Sequence, residues 1–362
     1  MSVFIVRLSF LRSRPARPVA KLPFTHRTLL FGLPNTAYDH RKGRTCGCWR
    51  RRVFCDHPST LLTVPTGWAG LVGAKIFLKV HPEAKVVILD EAASVGGTWA
   101  SERLYPGLVS NNLLGTFEYP DFPMIPGDFP VRQGQHIPGE VIHDYLVKYT
   151  ERFGLKPLIR FKTNVTKASY DHQTSTWALN VKKVDAGEPY TVIANKVIIA
   201  TGLTNEPFVP YIPDSEAFQA PLLHQKQLSQ FTGALSSSCS SVTVYGGAKS
   251  AYDAVYLFAS QGIKVDWVIR SSGMGPTWMM PPYVTPLEKW AEKLIHMRIM
   301  TWMSPCIWGD ADGYTRIRKW LHGTWLGRKI VDGFWWILGN DVCNLNKYDA
   351  HPETRKLKPW NS

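Results

Sequence analysis

The fold is indicated most clearly by VVILDEAASVGGTWASERLYPGLVSNNLLGTFEYPDFPM, the segment from Val86 to Met124. It begins with four apolar residues that are followed at once by Asp90. Such a run is typical of a buried parallel strand, and the carboxyl end of that strand is where α/β sheets bind their ligands. The segment therefore predicts an α/β fold with a ligand site beside Asp90. An ordinary surface acid at a strand end is the alternative.

The residues before Asp90 have the order of a dinucleotide-binding unit, in which a strand, a glycine turn, a helix and an acid-bearing strand follow one another. Residues 61 to 64 predict the first strand, residues 71 to 80 the helix, and His81-Pro82-Glu83 its end. Because Asp90 comes 23 residues after Gly67, it stands near the position of a ribose-binding acid.

The glycine turn keeps only part of the G-x-G-x-x-G pattern. Gly67 and Gly70 occupy its second and third glycine positions, and Pro65 replaces the first. We expect Gly67 to let the backbone approach a pyrophosphate and Gly70 to let helix and strand pack closely, with the helix N-terminus facing the phosphate charge.

A second glycine motif, Gly96-Gly97-Thr98-Trp99, follows Asp90. Paired glycines let the chain pass close to a flat ring system, and Trp99 offers a wall for it. We therefore expect this motif to contact a cofactor.

The combined motifs resemble those of the flavin-containing monooxygenases and their Baeyer-Villiger relatives, particularly the fungal branch. In that family an acid, GG-[TVL]-W, a YPG or YxS turn, an Asn or Asp, and D-F-P follow in this order. The matching positions here are Asp90, Gly96, Gly97, Trp99, Tyr105, Pro106, Gly107, Asn111 and residues 121 to 124. The resemblance implies that Asn111 lies near the reactive flavin edge. Asn112 is the alternative match, and a loop-capping role remains open for either residue.

Two downstream motifs extend the resemblance. Residues 197 to 202 predict a buried strand ending in a small-residue turn, which matches the family's A-T-G motif at Thr201 and Gly202. The family identifier F-x-G-x-x-x-H is matched at Phe218 and His224 but not at Ala220, nor at Leu228 where it has an aromatic residue. The resemblance makes His224 a candidate catalytic residue, and a structural histidine is the alternative.

A second nucleotide turn lies at residues 242 to 251, VTVYGGAKSA, where a strand again runs into a glycine bend and a helix. The family form G-x-G-x-S-[AG] is matched at Gly246 and Ser250, and we include Lys249 among the expected nucleotide-binding residues. The next strand, residues 265 to 269, ends on Arg270. An arginine there pairs with the 2′-phosphate of NADP, whereas a solvated strand-end cation is the alternative.

The resemblance implies a chain with two Rossmann-like dinucleotide-binding domains, one for FAD and one for NADP. The resemblance further implies that NADPH reduces FAD and that one atom of O₂ enters a small organic substrate by N- or S-oxygenation or a Baeyer-Villiger reaction, and it suggests a role in secondary metabolism. Family members continue past the equivalent of Trp360, so an inactive, truncated nucleotide-binding fragment is the alternative function.

Composition limits the other classes of protein. The chain has 362 residues, 44% of them hydrophobic, which is enough to fill the cores of two α/β domains. No apolar run approaches the 18 or so residues of a membrane span. The six cysteines include no C-x-x-C pair, which argues against a flavin disulfide reductase, and the one-residue gap between Cys46 and Cys48 does not suit a zinc clamp. We expect no metal site.

The first 60 residues hold 12 Lys and Arg against two Asp and Glu, so most of the formal charge of +14 lies there. This basic leader is read either as a mitochondrial presequence or as a misassigned start of the coding sequence. A nucleic-acid-binding arm is disfavoured because the rest of the chain shows no basic and aromatic groove. We otherwise expect a cytoplasmic protein, and the sequence does not predict its oligomeric state.

The expected organisation is a leader at residues 1–58, which is disordered or not native, an FAD-binding segment at 59–205, and an NADP-binding domain with a helical region at 206–340. Residues 341–362 begin a return to the FAD domain. Segments 166–170, 176–182 and 190–193 predict an inserted β-meander. Helical spacing of Leu287, Trp290, Leu294, Ile295 and Trp302 predicts amphipathic helices in a Trp-rich region from 278 to 336, which forms a core, an apolar substrate lining or a membrane-facing patch.

Overall fold

The computed structural model describes residues 3–5, 60–185, 187–202, 205–232, 239–271, 275–295, 297–304 and 315–358. These residues belong to one compact unit. The predictions for the leader, apart from residues 3–5, and for the cysteines in it lie outside the described residues. In the part of the chain that is described, no helix is both long enough and apolar enough to cross a membrane.

The described residues form a mixed α/β structure, which confirms the expected fold class. The strands are β1 Val3–Ile5, β2 Thr60–Val64, β3 Lys85–Leu89, β4 Val109–Leu113, β5 His136–Pro138, β6 Ile159–Arg160, β7 Thr163–Asp171, β8 Thr176–Lys183, β9 Tyr190–Ala194, β10 Lys196–Ile199, β11 Leu222–His224, β12 Ser241–Tyr245, β13 Lys264–Val268, β14 Tyr283–Val284 and β15 Lys289–Trp290. The α-helices are α1 Trp68–Val80, α2 Gly139–Arg152, α3 Lys249–Ser260, α4 Ala291–Leu294, α5 Arg298–Trp302, α6 Thr315–Gly323, α7 Trp325–Leu345 and α8 Pro352–Arg355.

The first sheet has the strand order β10-β2-β3-β6, and all of its neighbours are parallel. Helix α1 connects β2 to β3, as the glycine turn predicts, and ends at Val80 before His81-Pro82. Its buried face and helix α2 share one core with β3, which includes Leu71, Ile88, Tyr145 and Tyr149. The carboxyl ends of β2 and β3 therefore lie side by side, next to the N-terminus of α1.

The second sheet has the order β11-β1-β12-β13. Strands β12 and β13 are parallel and are joined by α3, which repeats the strand, turn and helix arrangement of the first sheet. Strand β1, from the predicted leader, lies antiparallel between β11 and β12. Residues 3–5 are the part of the predicted leader that the structure describes.

The predicted meander is confirmed, because β7, β8 and β9 form an antiparallel three-stranded sheet in chain order. The burial predicted for the strand at residues 197–200 is found in part, since Val197 and Ile198 pack against hydrophobic cores whereas Ile199 is 60% exposed. Its strand, β10, is at the edge of the first sheet and pairs on one side with β2 among the described residues.

The Trp-rich region contains helices, but not the helix that its spacing predicts between 287 and 302. There the chain forms the β14–β15 hairpin and the short helices α4 and α5. Glu288 has a left-handed backbone, with φ of 47°, which interrupts a helix at this position. The long helix of the region is α7, and its Leu338 packs in a core with Leu113 and Leu294.

Candidate functional site

A cleft of about 310 Å³ lies where the two nucleotide-turn regions meet. It is lined by six of the residues that the sequence singles out, namely Thr98, Trp99, Asn111, His224, Lys249 and Ser250. The first three come from the segment after β3 and the last three from the region of the second sheet. The structure therefore brings together residues that lie up to about 150 positions apart in the chain.

The two glycine motifs of the first half lie against each other. Gly96 donates its backbone N–H to the carbonyl of Thr66 over 3.2 Å, and a Cβ on Gly97 would lie 3.2 Å from the Cα of Gly67. Gly96 and Gly97 both have positive φ, at 124° and 61°. Their own backbone therefore requires glycine, whatever ligand the loop contacts.

Helix α1 begins at Trp68 with Gly67 as its N-cap, and no side chain caps its first amides. Gly70 is buried in the first turn, as close packing of helix and strand requires. The indole Nε1 of Trp68 is buried without a hydrogen-bond partner in the structure. The N-terminus of α1 thus offers uncapped backbone N–H groups, which suit an anion.

Asp90 directly follows β3 and is only 3% exposed. Its Oδ2 accepts hydrogen bonds from the backbone N–H of Thr66 at 2.7 Å and from the Thr66 hydroxyl at 2.5 Å. Its Oδ1 accepts the N–H of Ala92 at 2.9 Å. Because each carboxylate oxygen accepts about two hydrogen bonds, Oδ1 keeps one acceptor position. The carboxylate is mainly a joint between the glycine turn and the end of β3, and the surface-acid interpretation is wrong.

Trp99 is part of both halves. Its partly buried side chain packs against the core of the first sheet and against the core of the second sheet. Its backbone carbonyl accepts a hydrogen bond from Nδ1 of His143 at 3.0 Å. The indole is therefore held at the cleft wall from two sides.

The cleft distinguishes Asn111 from Asn112. The side chain of Asn111 lines the cleft, whereas Asn112 is absent from the lining and its backbone N–H and carbonyl bond the Ser110 hydroxyl. The Asn111 amide donates to the carbonyl of Trp278 over 3.3 Å and accepts the N–H of Met280 over 3.4 Å. One amide hydrogen of Asn111 is not used by these two long contacts.

His224 lines the cleft and also caps a short turn. Its Nδ1 accepts a hydrogen bond from the backbone N–H of Lys226 at 3.2 Å. The backbone N–H of His224 donates to the side-chain oxygen of Gln227 at 3.0 Å. Burial and the neighbouring Lys226 lower the pKa of His224 below its ordinary value. In the neutral ring the hydrogen then lies on Nε2, because Nδ1 acts as the acceptor.

Lys249 begins α3, and its ammonium group bonds the Asp253 carboxylate one turn later and the carbonyl of Val109 in β4. Both side chains of this ion pair are largely buried, at 19% and 7% exposure. Burial lowers the pKa of Lys249 and raises that of Asp253, and their mutual attraction opposes both shifts. Lys249 therefore links the second half to β4 of the first.

The remaining predicted residues lie outside the cleft lining. Tyr105 is buried in the core of the second sheet, with its hydroxyl 3.4 Å from the Gln225 side chain, and burial raises its pKa. Arg270 is exposed just after β13, and Thr201 and Gly202 are exposed after β10. Gly246 has φ of 137° and donates its N–H to Val268.

Sequence reasoning missed several residues of the site. Arg103 and Lys226 line the cleft beside Asn205 and Asp253. Gly247 was also missed, although a Cβ there would lie 2.8 Å from the carbonyl oxygen of Gly275. Two basic side chains in segments without a glycine motif carry no pattern that marks them as ligands. The doublet of Gly246 and Gly247 is the one available signal, and it indicates that the turn passes close to another backbone.

Residues 65 to 300 match the family model described as pyridine nucleotide-disulphide oxidoreductase. A curated FAD-dependent monooxygenase of Pyrenophora dematioidea is 38% identical over 315 residues, covering 83% of this chain and 55% of that protein. Another, from Aspergillus nomiae, is 38% identical over 311 residues, covering 83% of this chain and 52% of that protein. These relatives confirm the resemblance that the motifs indicate. The chain spans about half the length of the curated relatives it matches.

Among solved structures, the polycyclic ketone monooxygenase of Thermothelomyces thermophila aligns with a TM-score of 0.55 and 19% identity. The alignment covers 84% of this chain and 54% of that one. At this identity the match supports the fold and nothing finer.

Proposed function

The chain belongs to the pyridine nucleotide-disulphide oxidoreductase family and resembles fungal FAD-dependent monooxygenases, and on this basis we propose that it binds FAD and NADPH and inserts one oxygen atom from O₂ into a small organic substrate. The observation that carries the proposal is the shared cleft. Trp99 and Asn111 of the first half face it together with Ser250 of the second half, as a reaction between two bound nucleotides requires.

The first half fits an FAD nucleotide. The uncapped N-terminus of α1 suits the pyrophosphate, the close approach of Gly67 and Gly97 leaves no side chain between the two loops, and Oδ1 of Asp90 retains one acceptor position for a ribose hydroxyl. We therefore assign Gly67, Gly70, Asp90 and the loop from Gly96 to Trp99 to FAD. Tyr105, also predicted to bind the cofactor, is buried in the core of the second sheet, and we assign it to the support of this loop.

The second half fits NADPH. Helix α3 begins at Lys249 with Ala248 as a cap that has no side-chain hydrogen bond, so its first amides suit a phosphate. We assign Gly246 to the close approach of the backbone and Ser250 to the phosphate. Arg270 at the end of β13 is assigned to the 2′-phosphate, and Thr201 and Gly202 to the link between the two nucleotide sites. Each turn then belongs to a Rossmann-like unit.

FAD, once bound, supplies the chemistry by taking a hydride from NADPH and activating O₂. The chain positions the reactants and limits the access of water. The Asn111 side chain lines the cleft, and we assign its amide to a hydrogen bond with the oxygen that would enter the substrate. Trp99 forms the wall, and His224, with its hydrogen on Nε2, is a donor at the same cleft.

A second candidate is a nucleotide-binding protein without oxygenase activity. It keeps the two nucleotide turns and differs from the oxygenase in the visible spectrum of the purified chain. On the same resemblance we propose N- or S-oxygenation or a Baeyer-Villiger reaction on a small organic substrate of secondary metabolism. We propose a cytoplasmic location, with a mitochondrial one as the alternative.

A visible spectrum of the purified chain tests the proposal. We expect a flavin band at about 450 nm that NADPH bleaches in the absence of O₂. A folded, colourless protein that takes up no added FAD would contradict the assignment of an oxygenase and favour the second candidate.

The role of Asn111 is tested by a matched pair of variants. Asn111→Ala should raise the fraction of NADPH oxidation that ends as hydrogen peroxide, because the amide at the cleft is lost. Asn112→Ala removes an adjacent amide that does not line the cleft, and it should leave this fraction unchanged. Tightly coupled oxygenation by Asn111→Ala would refute the role.

A further inference from the structure

The cleft is rich in positive charge. Arg103, Lys226 and Lys249 line it, and Asp253 is the one carboxylate among the described lining residues. Cations in a cleft between two nucleotide turns indicate an anionic ligand. The question is which of the three cations has a charge left for that ligand.

Lys249 is already neutralised. Its ammonium group bonds the Asp253 carboxylate and the Val109 carbonyl, and both members of the ion pair are largely buried. Removing the ammonium from this pair would leave a buried carboxylate without a counter-charge, which is costly. The charge of Lys249, in the nucleotide turn, is therefore already balanced by Asp253.

Lys226 differs in its surroundings. Its Nζ donates to the carbonyl of Asn205 at 3.0 Å, and contacts with the described residues leave two of its three N–H groups for a ligand. Burial and the repulsion of Arg103 lower the pKa of Lys226, and attraction by Glu91 and Glu206 offsets this only in part.

Neither Arg103 nor Lys226 forms an ion pair with any residue that the structure describes. Two cations without ion-pair partners on one cleft are best neutralised by an anion of more than one charge.

We infer that Arg103 and Lys226 form a binding subsite for a phosphate group of the nicotinamide dinucleotide. This inference rests on the proposed use of NADPH. Lys249 and Ser250, at the N-terminus of α3, line the same cleft as both cations, so a phosphate held at the helix end would lie in that cleft. A guanidinium presents its N–H groups in a fork that matches phosphate oxygens, and the ammonium adds a point charge.

The experiment measures the dissociation constant of NADP⁺ by titration calorimetry for the full-length protein and three variants. Arg103→Met and Lys226→Met remove one cleft cation each while keeping an apolar stem of similar length. Lys156→Met is the matched control, because Lys156 pairs with Glu151 on the exposed surface away from the cleft. Thermal unfolding of every variant shows whether it is folded.

We expect a roughly tenfold weaker NADP⁺ affinity for each cleft variant, and no change for Lys156→Met. The loss should shrink as salt is added, because screening weakens the attraction of partly exposed charges. Unchanged affinity in both cleft variants would overturn the inference.

Inorganic pyrophosphate separates this inference from the proposed function. If the full chain binds no NADP⁺, the assignment of NADPH fails, and pyrophosphate then tests the subsite alone. A rise in the unfolding temperature with pyrophosphate that disappears in the Arg103→Met/Lys226→Met double variant supports an anion subsite. The same rise in the double variant, or none in the unaltered protein, overturns it.

Discussion

The loop at Gly96 allows a quantitative test of why the first glycine motif is needed. Gly96 has φ of 124°, and a Cβ on it would lie 2.8 Å from both the carbonyl carbon and oxygen of Trp99. Gly127 has a comparable φ of 106°, but a Cβ there meets nothing within 4 Å. The two positions share the backbone cost of an alanine and differ in the steric cost.

The positive φ alone costs about 1–3 kcal/mol for a residue with a side chain. Overpacking against a backbone that cannot move aside adds about 1–3 kcal/mol. We therefore expect Gly127→Ala to lower the free energy of unfolding by about 1–3 kcal/mol and Gly96→Ala to lower it by about 2 kcal/mol more.

Urea unfolding followed by tryptophan fluorescence measures both values, and the amount of flavin that co-purifies reports the loop itself. The loop should retain less flavin in Gly96→Ala than in Gly127→Ala, because the new methyl group displaces the backbone at Trp99. Equal destabilisation by the two substitutions would refute the steric argument.

Three further predictions follow from buried polar groups. The Tyr145 hydroxyl forms hydrogen bonds with the backbone of two other residues at 2.5 and 2.7 Å, whereas the Tyr149 hydroxyl, one helical turn away, has no partner among the described residues. Tyr145→Phe should therefore lower the free energy of unfolding by about 2–4 kcal/mol in urea titrations, and Tyr149→Phe by less than about 0.5 kcal/mol. Similar losses in the two variants would contradict these contacts. Asp90→Asn replaces a carboxylate that accepts three hydrogen bonds, and it should lower the free energy of unfolding by about 2–3 kcal/mol in the same assay. Glu91→Gln, at the exposed neighbour, should lower it little. Equal effects would show that Asp90 does not stabilise the contact between the glycine turn and the end of β3. Burial lowers the pKa of His136 in the folded chain, so the unfolded chain binds the proton more tightly. The free energy of unfolding should therefore fall as pH drops below about 6.5, by at most about 1.4 kcal/mol per pH unit. The fall should be shallower in His136→Gln, and an unchanged pH profile in that variant would show that His136 is not its source.

The sequence is most informative where the same apolar runs and glycines determine both a local element and its place in the fold. The strand that ends at Asp90, the turn at Gly67 and the helix α1 follow from apolar runs and glycines, and all three are present. The pairing of Asp90 with Thr66 has no such signal, because it joins residues 24 positions apart through one carboxylate. Thr66 fills a position that the glycine pattern leaves open to any residue.

Burial and charge pairing are less predictable. Ile199 reads as a core residue from its apolar neighbours, but its strand is a sheet edge, which depends on the order of strands. Lys249 is predicted to bind a phosphate from its place in the turn, and the turn pattern gives no sign of the ion pair that it forms with Asp253, one helical turn away. The spacing of Leu287 and Trp290 fits a helix, yet Glu288 reverses the backbone between them.

The link from Lys249 to Val109 joins residues 140 positions apart, which bears on how the protein folds. Contacts of such separation form late, because a long loop must close before they offer any stabilisation. The α1 and α2 units rest on nearer contacts, so we expect them to form first and the cleft to be the last part to close. During synthesis we expect the cleft to form only after α3 has left the ribosome. A substitution that weakens α3 should therefore leave a chain with a formed core around α1 and α2 and an open, protease-sensitive loop after β3.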